Sequence, residues 1–571
     1  MARDRWFGVF VGGRRSQPST GAGLLAMALS LALTAACAQV RTKDPASQAA
    51  GGAEAATDAG SASAGGHAGR KATGLGGAGG TGPQFPPLTD FPTAAIFTDP
   101  TIPTNAPAFF SGGPGRAGSA PCITSPEPST LMPRNWLRPR IAYRPVTSEN
   151  LFEVTFTISG FAHPLRVYTR DQSYTMGKDL WNSLRTSIND MPVAIAVRAV
   201  GVDAGGSVQL AVSAAAQTTL VVAPVDAPGK IVYWALTSNT GSLKGFGIGE
   251  EGTQTVLVPG QVQARNPTSE NCIGCHAATP DGEAVGFSLG QGFYYDSIAD
   301  VRMDTAGVTP SYVTPTALAT IRLMAGIPAY SPAHWSAGDR IVLLSDVGDL
   351  TWIQLDGTRK GILTRTGDAR LATEPTFRHD GTGVVYVSTN SIVQGRAAAG
   401  PGDLYQVPYA AGAGGLATPV PGAADPDFTE YYPAFSPDDE WIAFTRLVGM
   451  GNVYSNSDAE VFVVAATGGA SQRLAANDAP SCETDLHSPG MTNDWPKWSP
   501  DVGHANGKSY YWLTFSSQRS GTAQLYVTAL VVDAAGRLAS YPALHLWNQP
   551  STEGNHTPSW DNLQIPPIII P

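Results

Sequence analysis

The sequence predicts an all-β protein, in which an N-terminal immunoglobulin- or fibronectin-like sandwich is followed by a six-bladed β-propeller. Two patterns predict this fold class. Residues 122–225 consist of short alternating runs bounded by turns, and the chain repeats one hairpin motif from about Asn266 onward, within a propeller domain predicted over residues 226–571. With 571 residues, of which 42% are hydrophobic, the chain is long enough to bury the cores of both domains.

The sandwich is predicted from period-two alternation of side chains. The runs LFEVTFTIS, PVAIAVRAVG and SVQLAVSAA are rich in strand-forming residues and are separated by turn residues. In such runs every second side chain faces the same side of a sheet, which is typical of antiparallel strands with one buried face. One short helix is predicted from Met176, because Leu180, Trp181 and Leu184 then lie on neighbouring helix faces.

The propeller is predicted from six copies of the hairpin motif. In each copy an aromatic or small residue precedes Ser or Thr, a Pro-Asp or Asp-Gly turn and an apolar strand. The spacing of about 40–60 residues suits one four-stranded blade per copy. The last copy is too short for a blade, so the earlier strands KIVYWALTS and LKGFGIGE must complete it to close the ring. The positions taken as equivalent are Ala278, Trp335, Phe377, Phe435, Trp498 and Trp560.

The hairpin motif resembles that of TolB-type or WD40-like six-bladed propellers. The aromatic-Ser-Pro-Asp sequence is most complete at Phe435 to Asp439 and at Trp498 to Asp501. The resemblance covers about half of the chain. It implies the propeller architecture and carries little information about chemistry.

The motif with chemical content is Cys272-Ile273-Gly274-Cys275-His276. C-x-x-C-H is the spacing at which two thiols add to the vinyl groups of haem while the adjacent histidine binds the iron. The sequence therefore predicts one covalently bound haem c, with Cys272 and Cys275 as attachment sites and His276 as axial ligand. A zinc site would need two further ligands at ordered spacing, which the sequence lacks. A plain disulfide between Cys272 and Cys275 remains an alternative.

The repeat register places the motif at the start of an innermost strand. Aligning CHAATPDGEAVGFS with PAFSPDDEWIAFT puts His276 at the position of Pro433. The flanking residues lack helical periodicity, which disfavours a helical cytochrome domain. This arrangement resembles exported bacterial proteins in which C-x-x-C-H opens the first blade of a TolB-like ring.

The sixth iron ligand is expected from another loop at the mouth of the channel. The candidates, in order of preference, are His556, His334, His487 and Met491, and for each the alternative is a purely structural role. Three further histidines of the propeller region, His379, His504 and His545, are interpreted as hairpin or surface residues.

The N-terminus predicts export. A basic start and an apolar run form a signal peptide over residues 1–36, and the residues before Cys37 resemble a bacterial lipobox, which implies lipidation of Cys37. The alternative is ordinary cleavage after Ala36 or Ala38. Residues 37–85 are rich in Ala, Gly and Ser and predict a flexible tether, and residues 86–121 predict a Pro-rich extended segment.

Two of the five cysteines are then left over, namely Cys122 and Cys482. In an exported protein these two are candidates for a disulfide. The expected location is the periplasm or cell surface of a Gram-negative bacterium, as a lipoprotein of the outer membrane, with no membrane contact other than the lipid.

The expected function is that of a monohaem c-type cytochrome-like protein, which transfers single electrons to an unidentified redox partner or senses redox state. One alternative is a haem-free propeller that binds proteins or ligands, and a second is a haem-dependent redox enzyme. The net charge of -10 disfavours nucleic-acid binding. No catalytic residue is predicted, and the absence of a G-x-S-x-G motif followed by an α/β domain argues against a peptidase.

Overall fold

The computed structural model describes residues 85–237, 240–262, 272–290, 295–302, 304–393, 396–397, 400–449, 451 and 453–565. The predicted signal peptide, Cys37 and the tether therefore lie outside the described residues. Strands dominate the described part, which confirms the all-β class. None of the helices found there has the length and apolar character needed to cross a bilayer.

The N-terminal region is built from ten strands in two sheets. One sheet has the order β1-β6-β5-β8-β10-β3, with β9 paired to β8, and the other has the order β2-β4-β7. The strands are β1 (Ile96–Phe97), β2 (Cys122–Ser125), β3 (Thr130–Met132), β4 (Arg140–Arg144), β5 (Leu151–Ile158), β6 (Leu165–Thr169), β7 (Ser173–Thr175), β8 (Pro192–Val202), β9 (Val208–Leu210) and β10 (Ala216–Val222).

The two N-terminal sheets pack face to face through aromatic side chains. Tyr143 of β4 contacts Phe152 of β5 with ring centroids 5.0 Å apart, and Tyr174 of β7 contacts Phe156 of β5 at 5.9 Å. The alternation that predicts these strands places such side chains on one face of each sheet. Most pairs are antiparallel, but β1 runs parallel to β6 and β3 runs parallel to β10. The immunoglobulin- or fibronectin-like assignment stays a prediction.

Short helices connect the strands. They are α1 (Ala106–Phe109), α2 (Lys178–Leu184), α3 (Pro315–Ile321) and α4 (Pro332–Ser336), with 3-10 turns at Pro259–Gln261 and Ala475–Asn477. Helix α2 is the helix that the sequence predicts after Met176, and it buries Trp181 and Leu184.

The described residues of the C-terminal region form 28 strands. They are β11 (Lys230–Thr237), β12 (Thr240–Gly247), β13 (Gln254–Leu257), β14 (Ile273–Ala278), β15 (Ala284–Leu289), β16 (Tyr295–Asp300), β17 (Ile341–Asp346), β18 (Asp349–Gln354), β19 (Lys360–Ile362), β20 (Arg365–Thr366), β21 (Leu371–Phe377), β22 (Gly383–Thr389), β23 (Ile392–Val393), β24 (Arg396–Ala397), β25 (Gly402–Pro408), β26 (Gly415–Leu416), β27 (Thr418–Pro419), β28 (Phe428–Phe435), β29 (Trp441–Val448), β30 (Glu460–Ala465), β31 (Gln472–Arg473), β32 (Asp494–Trp498), β33 (Gly503–Ala505), β34 (Lys508–Ser517), β35 (Gln524–Val532), β36 (Leu538–Ser540), β37 (Leu544–His545) and β38 (Gly554–Asp561).

Most of these strands form six blades in a ring, and the pairs β20-β26 and β23-β24 form two further two-stranded sheets. Blade 1 is β14-β15-β16, blade 2 is β17-β18-β19, blade 3 is β21-β22-β25-β27, blade 4 is β28-β29-β30-β31, and blade 5 is β32-β34-β35-β36 with β33 and β37 at its side. Blade 6 is β13-β12-β11-β38. Neighbouring blades meet through their innermost strands, with β21 against β28, β28 against β32, β32 against β38 and β38 against β14. The innermost strands therefore surround a central channel.

The ring is closed by pairing between distant parts of the chain. Strand β38, the last strand described, pairs antiparallel with β11, and Trp560 lies opposite Ile231. The runs KIVYWALTS and LKGFGIGE, which supply β11 and β12, thus complete the blade that the partial sixth copy begins. An interlock of this kind lets the ring bury its first and last blades against each other.

One equivalence in the predicted repeat is wrong. Trp335 lies in helix α4, whereas Ala329 forms the bridge to Leu343 that Ala434 forms to Ala443 in blade 4. Tyr330 therefore occupies the aromatic position in blade 2. The sequence motif misplaces this position because a helical turn is inserted directly after Ser331. The Ser331 side chain caps the helix by accepting a hydrogen bond from the His334 N–H.

The N-terminal domain and the propeller share one hydrophobic core. Trp136 packs against Trp560 with ring centroids 5.9 Å apart, and both belong to a buried cluster that includes side chains of the N-terminal sheets and of blades 5 and 6. A disulfide joins Cys122 of β2 to Cys482, which precedes blade 5. These are the two cysteines that the sequence leaves over for a disulfide. The two domains are thus held together by apolar burial and by a covalent bond.

Removal of the Trp560 side chain is expected to weaken both ring closure and the domain interface. Trp560 is 2% exposed, and its Nε1 donates to the Pro228 carbonyl at 2.8 Å. We expect Trp560→Ala to lower the free energy of unfolding by about 3–5 kcal/mol. Denaturant unfolding measures this change, with Val448→Ala as control, because Val448 is 70% exposed and its truncation is expected to cost less than about 0.5 kcal/mol. Equal stability of the two variants would contradict the proposed closure.

Candidate functional site

The C-x-x-C-H motif lies on the innermost strand of blade 1. Cys272 forms an isolated bridge with Gly241 of β12, and Ile273 to His276 open strand β14. The exposed fractions of Cys272, Cys275 and His276 are 0%, 4% and 4%. The motif is therefore extended and buried, in agreement with the expectation that no helical cytochrome domain surrounds it.

The innermost strands carry a bulge at one common position. In β21, β28, β32 and β38 a residue with positive φ precedes a proline, and these pairs are Glu374-Pro375, Tyr432-Pro433, Trp495-Pro496 and Thr557-Pro558. Positive φ is strained for residues other than glycine and persists only where the surrounding packing holds it. In β14 the same two positions are occupied by Cys275 and His276.

His276 takes the place of the repeated proline, as the sequence alignment predicts. In blade 4 the ladder resumes at Ala434, one residue after Pro433, whereas in blade 1 it resumes at His276 itself, opposite Phe287. Proline lacks the backbone N–H that a ladder uses, and histidine has it, so the pairing can begin one residue earlier. The replacement of proline also puts an imidazole at this position.

The imidazole of His276 lies between blades 1 and 6. Its Nδ1 is 3.3 Å from the Gly274 carbonyl and its Nε2 is 3.3 Å from the Val232 carbonyl of β11. Burial lowers the pKa of His276 to about 4. At neutral pH the ring is therefore neutral and carries one N–H, so only one of the two carbonyls receives a hydrogen bond and the other faces a nitrogen lone pair.

Cys275 faces the channel. It packs in one buried cluster with Ile327, Tyr432 and Trp495, the last two of which occupy the bulge position of their own blades. Burial raises the pKa of the Cys275 thiol, and the nearby positive charge of Arg396 opposes that rise. A thiol in this setting is protonated at neutral pH unless a bond to another group replaces the proton.

The channel also contains buried charged groups. Glu374 accepts hydrogen bonds from the backbone N–H groups of Tyr432 at 2.7 Å and Ala397 at 3.0 Å, and burial raises its pKa to about 7. The Arg396 guanidinium lies over the Tyr454 ring at 4.5 Å. Burial lowers the pKa of Lys497, which is near Glu374 and Cys275. Both cations therefore belong to the surroundings of Cys275.

These channel groups are not among the residues predicted from the sequence. A usable signal exists, because each copy of the repeat places one residue directly before its proline, and the structure turns that residue into the channel. Glu374, Tyr432 and Trp495 stand directly before three of the repeated prolines, so this pattern identifies them as channel residues. Arg396 gives no such signal, since it reaches the channel on the short hairpin β23–β24.

Among the predicted sixth ligands, His556 lies in the channel wall. It belongs to β38, which packs against β14, and its ring stacks on Tyr454 at 5.7 Å with an interplanar angle of 19°. Burial lowers its pKa to about 4, aided by the positive charge of Arg396. Its Nδ1 is buried and has no hydrogen-bond partner in the described part of the chain. His556 therefore offers a neutral, unpartnered imidazole nitrogen.

The other candidates are placed differently. His334 lies on α4, where its Nε2 is 3.0 Å from the Gly381 carbonyl and its Nδ1 is 3.3 Å from Asp339. Helix α4 adjoins the hairpin turn that follows β14, because Trp335 donates to Asp281, so His334 is at the opposite end of β14 from Cys272. His487 is exposed on its loop. Met491 is buried, and its carbonyl accepts from the Gln518 N–H.

The chemistry of the donor set fits a covalently attached haem. Cys275 is a buried thiol, and the His276 ring is neutral at neutral pH, which is the form in which an imidazole nitrogen binds a metal. Its Nδ1 contact to a backbone carbonyl is the kind of contact that fixes the tautomer of a metal-binding histidine. The nitrogen left for iron, Nε2, faces the Val232 carbonyl, so iron would replace that contact. For the zinc alternative, no group of three metal-ligating side chains occurs among the described residues.

No protein-family model matches the chain, and no curated protein matches it. Among solved structures, the chain is similar to TolB from Acinetobacter baumannii, with 15% identity, a TM-score of 0.36, and coverage of 66% of this chain and 80% of that one. It is also similar to an auxiliary nutrient binding protein from Bacteroides thetaiotaomicron, with 10% identity, a TM-score of 0.31, and coverage of 73% of this chain and all of the other.

A pH-dependent stability is expected from Asp494, which precedes the bulge in β32. It is 1% exposed, its Oδ1 accepts from Ser516, its Oδ2 has no partner in the described segments, and burial raises its pKa to about 7. Between the unfolded pKa near 3.8 and about 7, the folded state binds a proton that the unfolded state has lost, so stability falls as pH rises.

Asp494→Asn keeps the shape of the side chain and removes this titration. Relative to wild type, the variant should gain about 2–4 kcal/mol in free energy of unfolding between pH 4 and pH 7.5. Chemical denaturation across this pH range measures the gain, and Asp179→Asn, which changes an exposed carboxylate, serves as control. A constant difference between Asp494→Asn and wild type at all pH values would show that the carboxyl is not held protonated.

The sheets and their closure establish the architecture without reference to these similarities. The described part of the chain is an all-β protein that contains a six-bladed β-propeller, with the C-x-x-C-H motif on the innermost strand of its first blade.

Proposed function

We propose that this protein is an exported, c-type cytochrome-like protein in which one haem is attached to Cys272 and Cys275, with His276 as axial ligand. The observation that carries the proposal is the buried, neutral imidazole of His276 directly after the buried thiol of Cys275, on a strand that faces the channel. When bound, haem c supplies a one-electron redox couple. With such a group the protein can carry single electrons or sense redox state. Neither function needs a second substrate site.

The chain's own residues have separate tasks in this proposal. Burial of His276 excludes water and prevents protonation of the ring over the physiological pH range. The propeller holds β14 between β15 and β38, so the motif is fixed by strand pairing and does not need a helical domain. Arg396 lies near Cys275, and its positive charge opposes the rise that burial causes in the pKa of the thiol.

Export is part of the same proposal. The Cys122–Cys482 disulfide is of the kind that forms in oxidising compartments, and the sequence begins with a signal-like segment. We place the protein in the periplasm or at the cell surface, tethered through lipid on Cys37 to the outer membrane. The redox partner is another protein, and nucleic acid is not a partner.

The second candidate function is that of a haem-free propeller that binds a protein or ligand. The contact between Nε2 of His276 and the Val232 carbonyl favours it, because this contact must be given up when iron binds. Under this alternative Cys272 and Cys275 are structural residues.

Haem attachment is tested by expression with the cytochrome c maturation machinery. We expect the mature protein to retain a Soret band after denaturing electrophoresis or acid-acetone extraction, since thioether bonds survive both treatments. Cys272→Ser/Cys275→Ser should lose all covalently bound pigment, whereas the control Cys122→Ser/Cys482→Ser should keep it. Absence of pigment from wild type, with circular dichroism showing a folded protein, would favour the haem-free alternative.

The role of His556 as an iron ligand is tested by the absorption spectrum of the haem-loaded protein. If His556 is the second axial ligand, wild type should show a six-coordinate, low-spin spectrum, and His556→Ala should show a five-coordinate, high-spin one. His334→Ala is the matched control and should leave the spectrum unchanged, because His334 is engaged with Gly381 and Asp339 at the far end of β14. Identical spectra for wild type and His556→Ala would exclude His556 as ligand.

A further inference from the structure

A cavity lies between the N-terminal domain and the propeller, away from the C-x-x-C-H motif. Its volume is about 290 Å³. Strands β3 and β4 with the segment between them form one wall, and the end of blade 5 around β37 forms the other. The side chains that matter for its chemistry are Met132, Trp136, Arg140, Leu544, His545 and Trp547. Clefts at domain interfaces of this kind are common sites for small ligands.

The body of the cavity is apolar. Met132 and Trp136 are 1% and 4% exposed on the N-terminal side, and Leu544 is 9% exposed on the propeller side. Trp547 uses its Nε1 to donate to the Arg138 carbonyl at 3.0 Å, which leaves the indole as an apolar surface. An apolar ligand body would therefore be contacted from both domains.

Two buried polar atoms at the cavity have no partner. Trp136 Nε1 and His545 Nε2 make no hydrogen bond within the described residues. The Trp136 N–H is a donor, and a buried donor without an acceptor costs about 1–3 kcal/mol, so it gains from a ligand that brings an acceptor oxygen. Nε2 of a neutral His545 donates or accepts according to its tautomer. Burial, together with the positive charges of Arg140 and Arg519, lowers the pKa of His545 to about 4, so this ring is neutral. His545 is half-buried on the short strand β37, so it is not a hairpin-turn residue.

The charge at the cavity is positive. Arg140 is exposed at its rim and donates to the Ser173 hydroxyl at 3.1 Å, and no carboxylate in the described parts of the chain forms an ion pair with it. The neighbouring Arg138, by contrast, is held by Glu251 at 2.7 Å. None of the residues that line the cavity is acidic. An anionic group would thus meet one available guanidinium and no opposing carboxylate.

We propose that this cavity binds a small amphiphilic carboxylate, with its apolar body between Trp136, Met132 and Leu544 and its carboxylate at Arg140. One water molecule occupies about 30 Å³ of liquid, so the cavity has room for about ten heavy atoms, the size of a medium-chain fatty acid or a simple aromatic acid. Because both domains supply walls, such a ligand stabilises the domain interface when it binds. The site is independent of haem attachment.

The proposal is tested with octanoate and its neutral counterpart octanamide on the full mature protein. Octanoate should bind with one-to-one stoichiometry in calorimetry and raise the midpoint of thermal unfolding, and octanamide should bind at least tenfold more weakly. Equal binding of the two probes would show that Arg140 does not select an anion, and absence of octanoate binding would overturn the site.

Substitutions of single residues test whether octanoate binds in this cavity. Arg140→Gln should weaken octanoate binding tenfold or more and leave octanamide binding unchanged, whereas Arg166→Gln, which removes an exposed arginine on β6, should change neither. Ala142→Phe, which adds bulk to a lining residue, should abolish both. Thermal unfolding without ligand checks that each variant folds. Octanoate binding that survives both Arg140→Gln and Ala142→Phe would contradict the proposal.

Discussion

The pairing of β38 with β11 is the interaction on which the rest of the structure depends. Strand β38 is contributed by the end of the described chain and β11 by the segment before blade 1, so their pairing joins the ends of the ring. It also brings the Val232 carbonyl to His276 and places His556 beside β14. Without this closure the C-x-x-C-H strand would have no partner on one side, and the channel would not exist as an enclosed environment.

A repeated architecture with one altered copy accounts for the site. Four innermost strands use a strained residue followed by proline, and blade 1 replaces that pair with Cys275-His276. The repeat therefore determines where the site lies in the fold, whereas the thiol and the imidazole at this position are specific to blade 1. Burial then sets the properties of the groups, since it keeps His276 neutral and the Cys275 thiol protonated.

Much of this could be predicted from the sequence, and the failures have physical reasons. The register of His276 on Pro433 and the strands that close the ring follow from local repeats, which the sequence shows directly. Trp335 was misassigned because a helical turn inserted after Ser331 carries a similar aromatic-Ser pattern. His545 was misassigned because the N-terminal domain covers blade 5, a long-range contact that no local pattern reveals.

The central claim is that the cysteines of the motif carry haem. The most direct measurement is mass spectrometry of the tryptic fragment 266–302 from mature wild-type protein made with the haem-attachment machinery. We expect this fragment to carry the added mass of one haem, with both Cys272 and Cys275 modified. A fragment of unmodified mass, or one lighter by two hydrogens because the two cysteines form a disulfide, would contradict it.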